Sequence, residues 1–113
     1  MLVDVHAHIY LDYFKEKLEE VVTKAEKNNF VAIINSGINQ ITNKEVLELS
    51  KKFPILKASL GLYPLEALKL NDDDIENDLS FIMKNKNKII SIGEVGLDYN
   101  YIKNENSRQK EIF

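Results

Sequence analysis

The hydrophobic pattern of this chain changes period repeatedly, and that alternation limits the folds open to it more than any other feature. Short runs rich in β-branched and large apolar residues at Met1–Val5, Phe30–Asn35, Ile55–Leu60 and Lys88–Ile92 predict strands, each unbroken enough to be covered on both faces. Between the first two, Phe14, Leu18, Val21, Val22 and Ala25 line one face of a helix from about Asp12 to Asn28. A second helix is expected to open at Thr42-Asn43-Lys44-Glu45, with Thr42 and Glu45 forming a capping box ahead of Val46, Leu47 and Leu49, and with Pro54 helping to end it. A third follows Asn71-Asp72-Asp73-Asp74, whose charges suit the positive end of a helix dipole, and its expected core face is Ile75, Leu79, Ile82 and Met83. That acidic cluster reads as a helix start rather than as a metal site. Asn104–Phe113 begins a further helix.

Three strand–helix units and an incomplete fourth place the chain in the α/β class with a parallel sheet, either doubly wound or part of a (β/α)8 barrel. Neither GxGxxG nor GxxxxGK[ST] occurs in the first loops, so the dinucleotide and P-loop readings have no support. A complete barrel takes about 250 residues. The 113 residues here match the amino-terminal half of one, about four βα units with the last incomplete.

Composition narrows the function classes. Fifteen Lys and Arg against 18 Asp and Glu leave a formal charge of -3, so no basic surface draws the chain to nucleic acid or anionic lipid, and such a partner has to be held locally. With no Cys, a disulfide or thiolate metal site within these residues is excluded; the absence fits a reducing compartment or a hot habitat equally well, and the cytoplasm is the expected location. Asp4 and His6 break the first apolar run far below a signal peptide, and no stretch approaches the roughly 18 apolar residues of a membrane span, so no membrane role is expected.

The only two histidines, His6 and His8, follow the first strand two positions apart. If strand geometry persists through them, both imidazoles point to one side, where they are pre-organised to bind zinc or a similar divalent ion. Glu94 lies at the same end of the fourth strand, in Gly93-Glu94-Val95-Gly96-Leu97-Asp98, and active sites of parallel α/β folds lie at that carboxyl end. A carboxylate there can bridge two cations at the roughly 3.5–4 Å separation of two-metal hydrolysis. Asp4, within an apolar strand, is expensive to bury unpartnered and is expected to orient a ligand. Tyr63, in Gly61-Leu62-Tyr63-Pro64, reads either as a substrate-facing hydroxyl or as a rim aromatic that packs its loop. Tyr10, Tyr13, Tyr99 and Tyr101 read as base-stacking candidates or as cover for the core.

With these residues in place the chain resembles the amino-terminal half of a TatD-family metal-dependent hydrolase, a (β/α)8-barrel branch of the amidohydrolase group that includes deoxyribonucleases. The likeness rests on Asp4-Val5-His6-Ala7-His8 for the opening D-x-H-x-H motif, Gly61-Leu62-Tyr63-Pro64 for G-x-H-P, and Gly93-Glu94-Val95-Gly96-Leu97-Asp98 for G-E-x-G-L-D. Gln109 and Phe113 stand at the family's Q-x-x-x-F. The resemblance implies that His6 and His8 bind the first of two divalent ions (Zn, Mg or Mn), that Glu94 bridges to the second, and that Asp4, Tyr63 and Asp98 lie around them or against substrate. One departure is Tyr63, where many members have histidine; a tyrosine cannot be a cation there. The other is length, because the family takes two more histidines and a final aspartate from later strands, and this sequence has no third histidine.

The expected activity is therefore metal-dependent hydrolysis of DNA phosphodiester bonds, catalysed in part through Glu94. The remaining ligands are expected from a complementary carboxyl-terminal half or, failing that, the half-barrel is expected to self-associate. The sequence ends inside a helix that has just begun its apolar face, which favours an interrupted barrel and an isolated chain without activity of its own. Alternatives are a deacylase or amidohydrolase built on the same metal centre, and a non-catalytic half-barrel that binds a metal or a partner.

Overall fold

The computed structural model describes residues 1–101, 104 and 106–113. The elements run β1 (Leu2–Ala7), α1 (Asp12–Lys15), α2 (Leu18–Lys27), β2 (Phe30–Ser36), α3 (Gln40–Lys52), β3 (Leu56–Leu60), α4 (Pro64–Ala67), α5 (Asp72–Lys84), β4 (Ser91–Ile92) and α6 (Asn106–Ile112). The strands form one sheet in the order β1-β2-β3-β4, and every neighbouring pair is parallel. All carboxyl ends therefore share one edge, which is where the loops carrying His8, Gly37, Gly61 and Glu94 meet. Among the described residues no helix is long and apolar enough to cross a membrane.

Packing follows the helical periodicity. Val46 and Leu47 of α3 bury against Ala58 and Leu60 of β3, Tyr10 and Ile82; Val22 of α2 buries with Ile9, Ile33, Ile55 and Leu56. Val46 and Leu60 are fully inaccessible, and burial on this scale is worth about 1.5–3 kcal/mol per large apolar side chain. A third cluster, Leu62, Ala67 and Ile75, lies under the loop after β3.

Several local expectations are corrected. The single helix expected over 12–28 is two, because Glu16 and Lys17 leave the ladder and Lys17 adopts φ -119°, ψ 12°. The capping box of α3 lies one turn earlier than Thr42/Glu45: Asn39 is the N-cap, its side chain accepts from Thr42 N, and the Thr42 hydroxyl answers the Asn39 amide. Thr42 is thus the third residue of the helix and closes the box. The face of α5 is rotated: Ile75, Asp78 and Ile82 are buried, while Leu79 and Met83 are 43% and 59% exposed. The rotation turns Asp78 toward α3, where its carboxylate accepts from Gln40 Nε2 at 2.9 Å. The acidic cluster does start that helix, with Asn71 accepting from Asp74 N.

The fourth strand is shorter than 88–92, since Lys86–Lys88 form a 3₁₀ turn and β4 pairs on one side only. Nor are all the strands covered on both faces. Val3 and Val5 on β1 and Ile90 and Ile92 at β4 are 50–71% exposed, at the two edges of the sheet. Residue 105, within the expected last helix, lies outside the described residues; that helix is described from Asn106.

Candidate metal centre

His6 belongs to β1, and His8 follows one residue after its end. Their Nε2 atoms lie 3.1 Å apart, with the rings edge to face. Glu94 Oε2 lies 3.5 Å from each of those nitrogens. Donor atoms of the three residues all fall within 4.8 Å of one another, and all three side chains keep solvent access.

The supports of this cluster come mainly from β2. His8 Nδ1 donates to the Ser36 carbonyl at 2.8 Å; a carbonyl only accepts, so Nδ1 carries a proton, and in the neutral ring the lone pair available for a cation is on Nε2, toward His6 and Glu94. The Tyr10 hydroxyl also contacts His8 Nδ1, at 3.0 Å, and burial first, with Glu94 nearby, pushes its ionisation above the usual tyrosine range. Ser36 Oγ is 3.4 Å from His6 Nδ1. Asp4 acts on His6 through the main chain: its Oδ1 accepts from the backbone amide of His6 at 3.0 Å.

Glu94 is placed by its backbone. Gly93 N donates to Leu60 O, the Ser59 hydroxyl donates to Gly93 O, and Glu94 N donates to Gly37 O. Gly61 allows this approach, because a Cβ there would lie 2.2 Å from Glu94 N and 2.3 Å from Gly93 C. Gly61 is itself captured by fully buried Asn43, which donates to its carbonyl at 2.8 Å and accepts from its amide at 3.1 Å.

Gln109 of α6 makes the same paired bridge to the Asp98 backbone, at 2.7 and 2.8 Å. The Tyr63 hydroxyl donates to Asp98 Oδ2 at 2.6 Å. That bond, to an anionic acceptor, is the main reason Tyr63 is pushed up to about 12, and it holds Asp98 below the usual carboxylate range. Tyr63 is thus a neutral group with its proton committed to Asp98. Of the other tyrosines singled out above, Tyr10 is buried, and Tyr13 and Tyr101 are the most exposed.

The donor set suits a divalent cation. Two imidazole nitrogens at 3.1 Å repel through their lone pairs unless a proton or a cation lies between them, and a carboxylate oxygen faces both. The structure therefore brings His6, His8 and Glu94 together; Asp4 bonds to the His6 backbone amide, whereas Tyr63 and Asp98 bond to each other, and Asp98 to Gln109. Ser36, Asn43 and the role of Gln109 escaped sequence reasoning. Their partners lie 11 to 28 residues away, and the one hint was Gln109 in the Q-x-x-x-F match.

Known proteins of similar sequence and fold identify the family of the chain. The YabD protein of Bacillus subtilis, named an uncharacterized metal-dependent hydrolase, is 32% identical over 115 residues, covering 100% of this chain and 44% of that protein. MJ1582 of Methanocaldococcus jannaschii, named likewise, is 39% identical over 98% of this chain and 43% of its own length. The crystal structure of YjjV, a TatD homolog from Escherichia coli K12, superposes with a TM-score of 0.83 at 25% identity, covering 98% of this chain and 43% of that one. The chain thus spans less than half the length of these relatives, and its four parallel strands and their helices make half of a (β/α)8 barrel. Residues 3–113 match the sequence model of the TatD related DNases, and the chain belongs to that family.

Proposed function

We propose that this chain carries the first half of the active site of a divalent-metal-dependent hydrolase of the TatD type, acting on phosphodiester bonds of DNA, with His6, His8 and Glu94 as metal ligands. The observation that carries this reading is the meeting of two imidazole nitrogens and a carboxylate oxygen, all within 4.8 Å, at the carboxyl ends of the strands. A relative from Dickeya dadantii, 23% identical, is named a 3'-5' ssDNA/RNA exonuclease, which supports nucleic acid as the substrate class.

When bound, a divalent cation supplies Lewis acidity, polarising a phosphoryl oxygen and lowering the pKa of water. The chain's residues do the rest of the positioning. Ser36 holds His8 in the tautomer whose Nε2 can ligate. Glu94, held by backbone bonds to β3 and Gly37, faces the histidine pair with Oε2 and would be the carboxylate ligand that bridges two bound cations. The mixed nitrogen and oxygen donors suit zinc or manganese. Tyr63 is neutral and anchored by Asp98, so it orients substrate without neutralising a phosphate. With a net charge of -3, the chain leaves the capture of a polyanion to the bound cations.

The reading includes a complementary carboxyl-terminal half that completes the barrel and supplies the remaining ligands. The exposed apolar residues at both edges of the sheet, Val3, Val5, Ile90 and Ile92, support it. The test is metal content by elemental analysis, followed by cleavage of single-stranded DNA by the chain with and without the candidate second half. Bound metal and cleavage in the mixture are expected, both lost in His6→Ala and Glu94→Ala variants with unchanged far-UV circular dichroism. Undiminished cleavage in either variant refutes the assignment.

A further inference from the structure

We infer that Asn35 is a positioning residue for the metal centre, fixing the chain just after His8 so that the imidazole keeps Nε2 directed at His6 and Glu94. The inference rests on the proposed role of His6, His8 and Glu94 as ligands.

Asn35 is 1% exposed. Its Oδ1 accepts from the Ile9 amide at 2.9 Å, while its Nδ2 is buried with no hydrogen-bond partner among the described residues. A buried donor without a partner is costly, and an apolar side chain at this position would avoid that cost. Packing alone therefore does not call for asparagine here; the bond to Ile9 does.

The place of that bond explains its use. The ladder between β1 and β2 shifts register between Asp4 and Ala7 and ends at the pair Ala7 and Asn35, so backbone pairing stops before His8. The Asn35 carboxamide takes over one step later, at Ile9, while the next residue, Ser36, receives His8 Nδ1 on its carbonyl at 2.8 Å. One dipeptide thus holds His8 twice, by its ring and by the backbone that follows it. Outer contacts of this kind typically matter by 10–100-fold in metal affinity.

The test compares Zn²⁺ affinity, by titration calorimetry, with melting temperature for the 113-residue chain and two variants. Asn35→Leu keeps the branched shape but neither polar atom, so the lost bond to Ile9 is offset by removal of the orphaned donor. It is expected to melt within about 3 °C of the parent while binding Zn²⁺ about tenfold more weakly. Asn35→Asp keeps the acceptor but buries a charge, and is expected to melt lower while holding Zn²⁺ within about twofold of the parent. This crossed pattern cannot come from general damage to the fold. Parental Zn²⁺ affinity in Asn35→Leu overturns the inference, as does affinity that falls in step with melting temperature in both variants. Should Asn35→Leu not fold, Zn²⁺ affinity in Asn35→Asp decides: retention supports the positioning role and loss overturns it. His8→Ala is the control. Parental affinity there removes the metal-site reading itself and the inference with it, whereas a loss there beside an unaffected Asn35→Leu removes the inference alone.

Discussion

Replacing Gly61 by alanine should damage stability and metal binding together, and the structure indicates by how much. The added methyl would sit 2.2 Å from Glu94 N, 2.3 Å from Gly93 C and 2.5 Å from Glu94 O, all backbone atoms. Restoring an ordinary contact requires the Glu94 segment to withdraw by about 1.2 Å. That segment is tied to Leu60, Ser59 and Gly37 by hydrogen bonds, and Gly61 is tied to Asn43, so neither side yields freely. Overpacking of this kind costs about 1–3 kcal/mol, or roughly 4–12 °C in melting temperature for a chain of this size. The same withdrawal carries Glu94 far outside the roughly 0.2 Å tolerance of a metal–ligand distance. Gly61→Ala should therefore bind Zn²⁺ no better than Glu94→Ala. Calorimetric melting and Zn²⁺ titration check both halves, with Gly93→Ala as the control, because a methyl there meets only Ser59 Oγ at 3.4 Å. A Gly61→Ala protein that melts and binds Zn²⁺ like the parent would refute the argument that Gly61 exists to admit the Glu94 loop.

Other substitutions probe the supports. The Tyr63 hydroxyl ionises at about 12 in the folded chain, above its ordinary value, so its bond to Asp98 stabilises fully below about pH 10 and is lost as pH rises toward 12. The stability gap between the parent and Tyr63→Phe, measured by denaturant melts, should close across that window. It should also close in acid as Asp98, held below the usual carboxylate range by the same bond, takes up a proton. Burial raises the Asp78 carboxyl above its ordinary value, so its ionised form opposes folding. Asp78→Asn should therefore raise the melting temperature at pH 7, with the gain disappearing as pH falls and Asp78 itself becomes neutral. Gln109→Leu leaves the Asp98 amide and carbonyl unpaired, at a cost of about 1–3 kcal/mol, and faster amide exchange should be confined to the loop after β4. Sedimentation should show the isolated chain self-associating through its exposed edges; a dispersed species of 13.0 kDa at high concentration would contradict that.

Much of the fold could be read from local pattern. β2 and β3 begin and end within one residue of the expected runs, because a strand buried by helices and flanked by parallel neighbours must be apolar along its length. Errors arose where two local solutions compete. Asn39-x-x-Thr42 and Thr42-x-x-Glu45 both satisfy a capping pattern, and the earlier one adds most of a turn to α3. On α5, Leu79 and Met83 fit an apolar stripe as well as Ile75 and Ile82 do, and only the neighbouring Gln40 shows that Asp78 turns inward.

Although the break between α1 and α2 and the short α4 escaped it, sequence alone was sufficient for the alternation of the four strands with the longer helices α2, α3 and α5, the parallel sheet, and the placement of His6, His8 and Glu94 at strand carboxyl ends. These depend on side-chain periodicity and on the direction of the chain, which neighbouring residues determine. Tertiary structure alone decided how the three meet and what holds them. The Ser36 carbonyl on His8, the Asn35 carboxamide on Ile9, the Asn43 bridge to Gly61 and the Tyr63–Asp98 pair join residues 18 to 35 positions apart. Such contacts arise from the register between strands and the seating of helices on the sheet. No periodicity within a single element encodes them.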